Sequence, residues 1–351
     1  MTHFSPDEID LLVKSATDFI VKESPIGRIR TLRDERDSLG WSRALYAQMC
    51  ELGWSALTVP TAFGGLGVDF ETQCLILEKL GGHLVPEPLL SSAVAVQVLK
   101  GSAHEKAQEI LGQIAVGEAL VCFADGGQIE VVDQRLTGSV DDVPDVIGAS
   151  ACLLSVDTEE GGGLYLVDML NQGITTERRW RIDGRNAGSL HLDGVMGTKL
   201  GDIEWVALAR DCAAIALAAE MLGGAEQAFR MTVSYLQTRE QFGVKIGSFQ
   251  ALQHRAARMF IEIGLLRSTV YGASRHIEAG ATRRSRGASL AKATAGETYL
   301  YVANQAIQLH GGIGVTDECD IGLFLKRARV SDVTWGTASE HRQRWAHLGG
   351  Y

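Results

Sequence analysis

The sequence has no proline after Pro144, although the chain is 351 residues long and carries six prolines up to and including that one. Proline removes a backbone donor and interrupts the interior of an α-helix. Its absence from the later part of the chain therefore permits long, uninterrupted helices there.

Cysteine is scarce and scattered, and no C-x-x-C pair occurs. The six cysteines are Cys50, Cys74, Cys122, Cys152, Cys212 and Cys319. This spacing excludes a zinc knuckle and a dithiol redox motif. Four of the cysteines, at positions 50, 122, 152 and 212, have apolar sequence neighbours and are predicted to be small core residues. The pattern favours a reduced, cytoplasmic protein.

Positive charge and long apolar runs are also lacking. The formal net charge is −10, which argues against a general nucleic-acid binder because phosphate contacts need a basic face. No segment reaches the roughly 18 uninterrupted apolar residues of a membrane helix, since the best candidate, around 212–219, ends at Glu220. The N-terminal residues MTHFSPDEID have neither the basic nor the apolar region of a secretory signal.

The common catalytic signatures are absent as well. The chain has no phosphate-binding G-x-x-x-x-G-K-[ST] loop, no dinucleotide G-x-G-x-x-G after a strand, no H-E-x-x-H and no G-x-S-x-G. Its nine histidines show no metal-ligand spacing. We therefore predict no metal site and no Rossmann-type nicotinamide site.

What is present divides into three parts of different character. Residues 1–116 show apolar residues at helical spacing, and residues 203–351 return to that pattern. Between them, 117–202 contain short strand-like runs such as VCFA, ACLLSV and SLHLDGV, separated by Gly, Asp and Asn turns. The sequence thus predicts an α+β, mainly α protein: an N-terminal helical domain, a small central β-domain and a C-terminal four-helix bundle.

Helix bounds follow from the same spacing. The first helix starts after the Ser5-Pro6 cap, and the helix after Ile246 carries seven apolar residues, from Phe249 through Phe260 to Val270, on one predicted face. Glycines 161–163 predict a hairpin turn. The further predicted helices cover 35–52, 70–81, 88–100, 103–116, 203–237, 286–309, 320–330 and 338–347.

Two segments of the C-terminal part have an unusual composition. Residues 239–250, REQFGVKIGSFQ, join two long helices with an arginine, an aromatic residue and two glycines. Arginine supplies a planar cationic fork that suits a diphosphate. Residues 308–314, QLHGGIG, end a helix in glycines, which allow the backbone to approach an anion. Ordinary helix capping is the alternative interpretation for each segment alone.

Together, and in this order, these segments resemble the acyl-CoA dehydrogenase family. REQFGVKIGSFQALQHRAARM resembles the family's R-x-x-F-G signature, and QLHGGIGVTDECDIGLFLKRARVSDVTWGT resembles its Q-x-x-G-G-x-G…G-T stretch. LGWSALTVPTAFGGLGVDF with EKLGGHLVPEPLL is similar to the family's N-terminal helical domain. The resemblance covers nearly the whole chain and agrees with the domain order.

The resemblance implies FAD as cofactor and an acyl-CoA thioester as substrate. In the family a carboxylate removes the α-proton, a hydride passes to the flavin, and an electron acceptor reoxidises it. Arg239, Phe242 and Gln308 would reach the flavin of a neighbouring subunit, so an oligomer is implied. The positions that match cofactor-binding residues are Arg239, Phe242, Gln308, Gly311, Gly312 and Thr337.

The sequence departs from the family where the catalytic carboxylate is expected. Most members carry Glu before the C-terminal G-T, and here Trp335 precedes Gly336-Thr337. The other known position, on the first bundle helix, corresponds to Ala213. An indole N–H only donates and a methyl group is inert, so neither can remove a proton. We therefore predict no catalytic residue in this chain.

The central part also departs from the family. The L-T-E-P-x-x-G-S-D run, which contacts flavin and thioester in the family, is replaced by VCFADGG at 121–127, with Ala124 in place of the threonine. The W-x-T/S motif is not recognisable between 138 and 156. Groups for the chain's own flavin ring are lost while groups for a neighbour's flavin remain. This combination resembles the short, base-less subunits of heterotetrameric bacterial dehydrogenases that act on steroid side-chain CoA thioesters.

Two alternatives stay open. A homomeric dehydrogenase or oxidase would need a relocated base, and the candidates are Glu220, Asp332, Glu340 and Asp211. A non-catalytic scaffold of the same fold would need neither flavin nor base. In the leading hypothesis the partner is a base-bearing homologous subunit. The acyl group and the electron acceptor are not specified by the sequence.

Overall fold

The computed structural model describes residues 4–157 and 162–351. The helices within these ranges are α1 (Pro6–Glu23), α2 (Arg28–Asp34), α3 (Arg43–Glu51), α4 (Phe70–Gly82), α5 (Leu89–Leu99), α6 (Glu105–Ala115), α7 (Ile203–Thr238), α8 (Gln250–Ser274), α9 (Ala281–His310), α10 (Ile321–Val333) and α11 (Ala338–Leu348). The mainly α, α+β class predicted from the sequence is confirmed. No helix of the described ranges is long and apolar enough to cross a bilayer.

The strands lie between α6 and α7, except for one short hairpin. They are β1 (Val121–Ala124), β2 (Gln128–Val132), β3 (Arg135–Pro144), β4 (Ala151–Val156), β5 (Gly163–Asp168), β6 (Ile174–Arg178), β7 (Ala187–Met196), β8 (Thr198–Gly201), β9 (Glu240–Gln241) and β10 (Val244–Lys245). The turn predicted at 161–163 begins outside the described residues.

Two four-stranded sheets form the β-region. Their strand orders are β1-β4-β5-β8 and β2-β3-β7-β6. Only β1 and β4 pair in parallel; the other neighbours in these sheets are antiparallel. Alternate residues of both sheets, among them Cys122, Leu136, Cys152 and Leu190, form one apolar core.

Tertiary contacts divide the chain into two compact units. The first comprises the chain up to Leu12, Ile29–Gln73 and Pro86–Ala216, and the second comprises Val13–Arg28, Cys74–Val85 and Leu217–Tyr351. The two sheets lie in the first unit, and α8–α11 lie in the second. The division of the sequence at 116 and 202 stays a prediction.

Three helix predictions are wrong at their start. Residues 35–42 precede α3 because the Asp37 carboxylate accepts from the amides of Leu39 and Gly40 and the Ser42 hydroxyl caps the helix. The helix expected near Ile246 starts at Gln250, after a 3₁₀ turn, and α9 starts five residues before its predicted position. Local side-chain bonds of this kind compete with helix and are not visible in apolar spacing.

The buried face of α8 also differs from the prediction. Met259, Ile263, Leu266 and Val270 are buried, whereas the Phe260 side chain is 67% exposed. Met259 and Phe260 are adjacent and therefore point about 100° apart around the helix axis. The expectation that the cysteines at 50, 122, 152 and 212 are core residues is confirmed, since all four are buried and none forms a disulfide.

Candidate functional site: a groove at the end of the long helices

The groove begins where α7 ends. After Thr238 the chain forms the β9–β10 hairpin, whose central residues Phe242 and Gly243 have φ of +55° and +78°. A two-residue hairpin turn of this type needs positive φ at both positions, which is ordinary for glycine and rare for phenylalanine. The Phe242 side chain is 89% exposed, so a strained backbone presents a large apolar ring to solvent.

The hairpin and the end of α9 line one cavity of about 660 Å³, which is within the usual range for small-molecule sites. Five of the six predicted cofactor-binding residues line it: Arg239, Phe242, Gln308, Gly311 and Gly312. They are brought together although almost seventy residues separate the two segments. We call this cavity the helix-end groove.

The groove carries a positive charge that no carboxylate in the described chain neutralises. The Lys245 ammonium lies 2.6 Å from the Glu240 carboxylate, so these two charges of the hairpin compensate each other. Arg239 is exposed and forms no ion pair among the described residues. Arg255 also lines the groove, and within the described ranges its partner is the neutral side-chain oxygen of Gln305, to which it donates at 3.2 Å. The groove thus favours an anionic ligand.

Glycines open the opposite wall of the groove. Gly311 directly follows α9 with φ +65° and is the first residue of a five-residue 3₁₀ turn. A Cβ added to Gly311 or Gly312 would meet no atom within 4 Å, which shows open space beside this backbone. A flat or bulky group can approach the main chain closely here.

A stacked aromatic pair forms the floor and was missed by sequence reasoning. The rings of Tyr235 and His310 lie 4.5 Å apart at 23°. His310 Nδ1 donates to the Ala306 carbonyl at 2.8 Å, and burial lowers the pKa of the imidazole. His310 is therefore neutral near pH 7 and offers a flat ring. No sequence signal links residues on two helices this far apart in the chain.

Thr337 is the one predicted cofactor residue that does not line the groove. It is the N-cap of α11, where its hydroxyl accepts from the Glu340 amide and Glu340 in turn accepts from the Thr337 amide. This reciprocal arrangement is a capping box. The bonds from Thr337 lower the pKa of the Glu340 carboxyl, so Glu340 is a weakened base.

Trp335 lies in the turn between α10 and α11. Its φ is +53°, and that of Gly336 is +100°. A left-handed conformation costs a residue with a bulky side chain on the order of 1–3 kcal/mol. Two buried donors hold the turn: Lys292 Nζ donates to the carbonyls of Asp332 and Gly336, and His341 Nε2 donates to the Trp335 carbonyl.

The remaining carboxylates considered as relocated bases have structural partners or are buried. Glu220 pairs with Arg327 at 2.8 Å, and both side chains are buried. Asp332 Oδ1 accepts from the Ala338 amide at 3.3 Å. Asp211 is fully buried within the first unit.

The loop that follows β1 is tied to α7 within the first unit. Asp125 accepts two bonds from Arg210 Nε, both 2.9 Å, and one of 2.6 Å from the Ser155 hydroxyl. Arg210 also reaches Asp157 at 2.5 Å. Asp125, within the run 121–127 that the sequence predicts to replace the family's flavin-contacting run, is thus engaged in an internal ion-pair network.

Comparison with known proteins identifies the family. Family models described as "Acyl-CoA dehydrogenase, N-terminal domain" and "Acyl-CoA dehydrogenase, C-terminal domain" match residues 6–118 and 209–347. The chain therefore belongs to the acyl-CoA dehydrogenase family, which is a family of oxidoreductases. The resemblance inferred from the sequence motifs is confirmed.

Individual relatives narrow this placement. The chain is 30% identical over 344 residues to acyl-CoA dehydrogenase IpdE2 of Mycolicibacterium smegmatis, covering 96% of this chain and 97% of the relative. A solved structure, the G363A variant of the steroid acyl-CoA dehydrogenase Tcur3481-Tcur3483, is 30% identical with a TM-score of 0.91 and 98% coverage of both chains. The ChsE4-ChsE5 complex from Mycobacterium tuberculosis, at 23% identity, shares the fold, with a TM-score of 0.90 and coverage of 100% and 99%.

His341 should make the protein sensitive to acid. Burial lowers the pKa of its imidazole to about 4, helped by nearby Lys292 and Arg344 and opposed by the Trp335 carbonyl and Glu340. The unfolded chain, with a pKa of about 6.5, binds more protons between pH 6.5 and pH 4, so stability falls as the pH drops through this window. We expect His341→Gln, which keeps a donor for the Trp335 carbonyl, to remove roughly 3 kcal/mol of that pH dependence.

The measurement is urea unfolding of both proteins at half-unit pH steps from 7 to 4. The difference between the two curves isolates His341, because other buried histidines contribute equally to both. Parallel curves over the whole range would contradict the assignment.

Proposed function

We propose that this chain is the partner-completing subunit of an FAD-dependent acyl-CoA dehydrogenase, which introduces an α,β double bond into an acyl-CoA thioester. The observation that carries the proposal is the convergence of Arg239, Phe242, Gln308, Gly311 and Gly312 on one groove, combined with an indole at the family's position for the base. In this proposal the groove holds the flavin nucleotide of an adjacent subunit.

The chemistry of the groove fits a flavin nucleotide. The Arg239 guanidinium suits the diphosphate, because it is planar and not neutralised by the hairpin. The stacked rings of Tyr235 and His310 and the exposed Phe242 offer flat apolar surfaces, and base–aromatic stacking is favourable. Gly311 and Gly312 leave room beside the main chain. Bound flavin would supply the acceptor for the hydride that leaves the β-carbon.

A catalytic base is proposed to come from the partner. Trp335 and Ala213 occupy the two family positions for the carboxylate and cannot take a proton. Glu220 is held by Arg327, and Glu340 is held by Thr337. These contacts support a structural role for the carboxylates that the homomeric alternative would require.

The chain's own flavin ring site is proposed to be lost. Ala124 lacks the hydroxyl of the family's threonine, and Asp125 is bound by Arg210 and Ser155. Both observations concern the run that contacts flavin and thioester in the family. They support a complex that holds fewer flavins than chains.

A homologous subunit is the proposed partner, and α8 offers a surface for it. The side chains of Phe260, Ile261 and Leu265 are 67%, 59% and 56% exposed. Exposed apolar patches of this kind mark interaction sites. A bulky, steroid-type acyl group is proposed from the likeness to the solved steroid acyl-CoA dehydrogenase, and an electron-transfer protein is proposed as the acceptor.

Flavin stoichiometry tests the proposal. The chain is purified alone and after co-expression with a base-bearing homologue, and bound flavin is measured by absorbance against chain concentration. We expect little flavin in the chain alone, and about one flavin for two chains in an active complex.

A yellow, active homo-oligomer with one flavin per chain would contradict the proposal and favour a relocated base. A chain that binds no flavin in either preparation would favour the scaffold alternative.

A further inference from the structure

The turn between α10 and α11 is held by a lysine that is completely buried. Lys292 lies on α9, and its Nζ donates to the Asp332 carbonyl at 2.9 Å and to the Gly336 carbonyl at 2.7 Å. Burial of an ammonium group is unfavourable unless polar groups receive it. The Lys292 ammonium group is therefore stabilised by the main-chain carbonyls that it binds, and it in turn fixes their position.

A second helix contributes in the same way. His341 on α11 is buried, and its Nε2 donates to the Trp335 carbonyl at 3.0 Å. Three carbonyls are thus bound by two buried side chains from two different helices: that of Asp332 in the last turn of α10, and those of Trp335 and Gly336 in the turn that follows. Main-chain carbonyls of a surface turn do not need such donors, because water can satisfy them.

Steric fit at two glycines keeps these donors in place. A Cβ on Gly336 would lie 3.0 Å from His341 Nε2, and Gly336 also has a positive φ. A Cβ on Gly296, one helical turn after Lys292, would lie 2.4 Å from Asp332 Oδ1. The small residue at 296 lets α9 approach the turn closely enough for the Lys292 side chain to reach both carbonyls.

We propose that Lys292 and His341 are positioning residues that hold Trp335 in its left-handed conformation, so that the chain keeps a fixed platform at the position where its family carries the catalytic carboxylate. Strained residues persist only where their surroundings over-determine them, and they cluster at functional positions. Here the hydrogen bonds from Lys292 on α9 and His341 on α11 are the surroundings that fix the conformation of Trp335. The inference rests on the proposed function only for the role of position 335.

Lys292→Met tests the proposal, because methionine has a similar length and cannot donate. Hydrogen exchange is followed by mass spectrometry in peptides that cover 332–338 and in peptides from α7 and α8. We expect at least tenfold faster exchange in 332–338 and unchanged exchange in the two helices. The matched control is Lys326→Met, which removes a half-exposed lysine of α10 and should change neither.

Trp335 emission provides a spectroscopic measure of the turn. The protein has six tryptophans, so the Trp335 contribution is the difference between the spectrum of each protein and that of the same protein with Trp335→Phe. We expect this difference spectrum to shift to longer wavelength in Lys292→Met. In Lys292→Ala, added propylamine should restore the original difference spectrum, whereas 1-propanol should not, because the turn needs a multiple donor.

Several results would overturn the proposal. Exchange in 332–338 within twofold of the original protein would show that the turn does not depend on Lys292, and equal loss of protection in α7 and α8 would show that Lys292 supports the bundle generally. If Lys292→Met does not fold, hydrogen exchange of 332–338 is compared between His341→Leu and His341→Gln. Faster exchange in the leucine variant alone supports the proposal. Equal exchange in the two variants contradicts it. None of these readouts requires flavin or a partner, so a failure here is distinct from a failure of the flavin stoichiometry.

Discussion

Arg239→Met should lower the affinity of the assembled complex for flavin by roughly 10- to 100-fold, because a hydrogen-bonded charge is worth about 1.5–3 kcal/mol. The guanidinium is exposed in the helix-end groove and has no carboxylate partner in the described chain, so its loss leaves no buried charge behind. The expected defect is in cofactor binding rather than in folding. The measurement is the flavin content of the complex after dialysis, with the unfolding midpoint as a check.

Arg258→Met is the matched control for this experiment. Arg258 is an exposed arginine of α8 that lies over the Tyr301 ring and does not line the groove. It should leave flavin content unchanged. Equal flavin content in Arg239→Met and Arg258→Met would show that the groove does not hold the nucleotide, and the partner-completing role would then lose its main support.

Glu220→Gln should destabilise the protein by roughly 3–5 kcal/mol, because it removes a carboxylate from a buried ion pair and leaves the Arg327 charge in place. Turnover per folded complex should stay within about twofold of that of the original protein, because the Glu220 carboxylate accepts a hydrogen bond from Arg327 at 2.8 Å and has a structural role. Thermal unfolding and activity of the assembled complex are measured on the same samples. Replacing both partners, Glu220→Leu with Arg327→Met, should recover most of the stability.

Glu262→Gln provides the comparison on a surface pair, since Glu262 lies 3.9 Å from Arg258 on α8 and such pairs contribute little. A loss of turnover of about 10²–10⁴ in Glu220→Gln, with stability preserved, would identify Glu220 as a relocated base. That outcome would favour the homomeric alternative over the partner-completing subunit.

Most of the order of elements was predictable because it depends on local pattern, but α2 was not among the predicted helices. The absence of proline after Pro144 and the helical spacing beyond it predict α7, α9 and the last helices to within a few residues, except at the start of α9. The starts of α3 and α8 were not predictable from spacing, because side-chain caps and a 3₁₀ turn decide them. The two segments singled out in the sequence, 239–250 and 308–314, contain residues that line the two sides of the groove.

The partners of individual side chains were not predictable. Glu220, Asp332 and Glu340 are equivalent as candidate bases in the sequence, and only the fold shows that Arg327 and Thr337 engage the first and the last. The stacking of Tyr235 on His310 could not be predicted from the sequence around either residue. Residues on different helices meet through packing, and packing is not encoded in the spacing of one segment.

The sequence by itself determined the family and the mainly α architecture, because both follow from local spacing and short motifs. It also predicts, from a single position, that Trp335 stands where the family carries its catalytic carboxylate. Only the tertiary structure decided that five distant residues share one groove and that Lys292 and His341 hold the Trp335 turn. The reason is geometric: hydrogen bonds and ring contacts depend on distances of a few ångströms between helices, and those distances exist only after the helices pack.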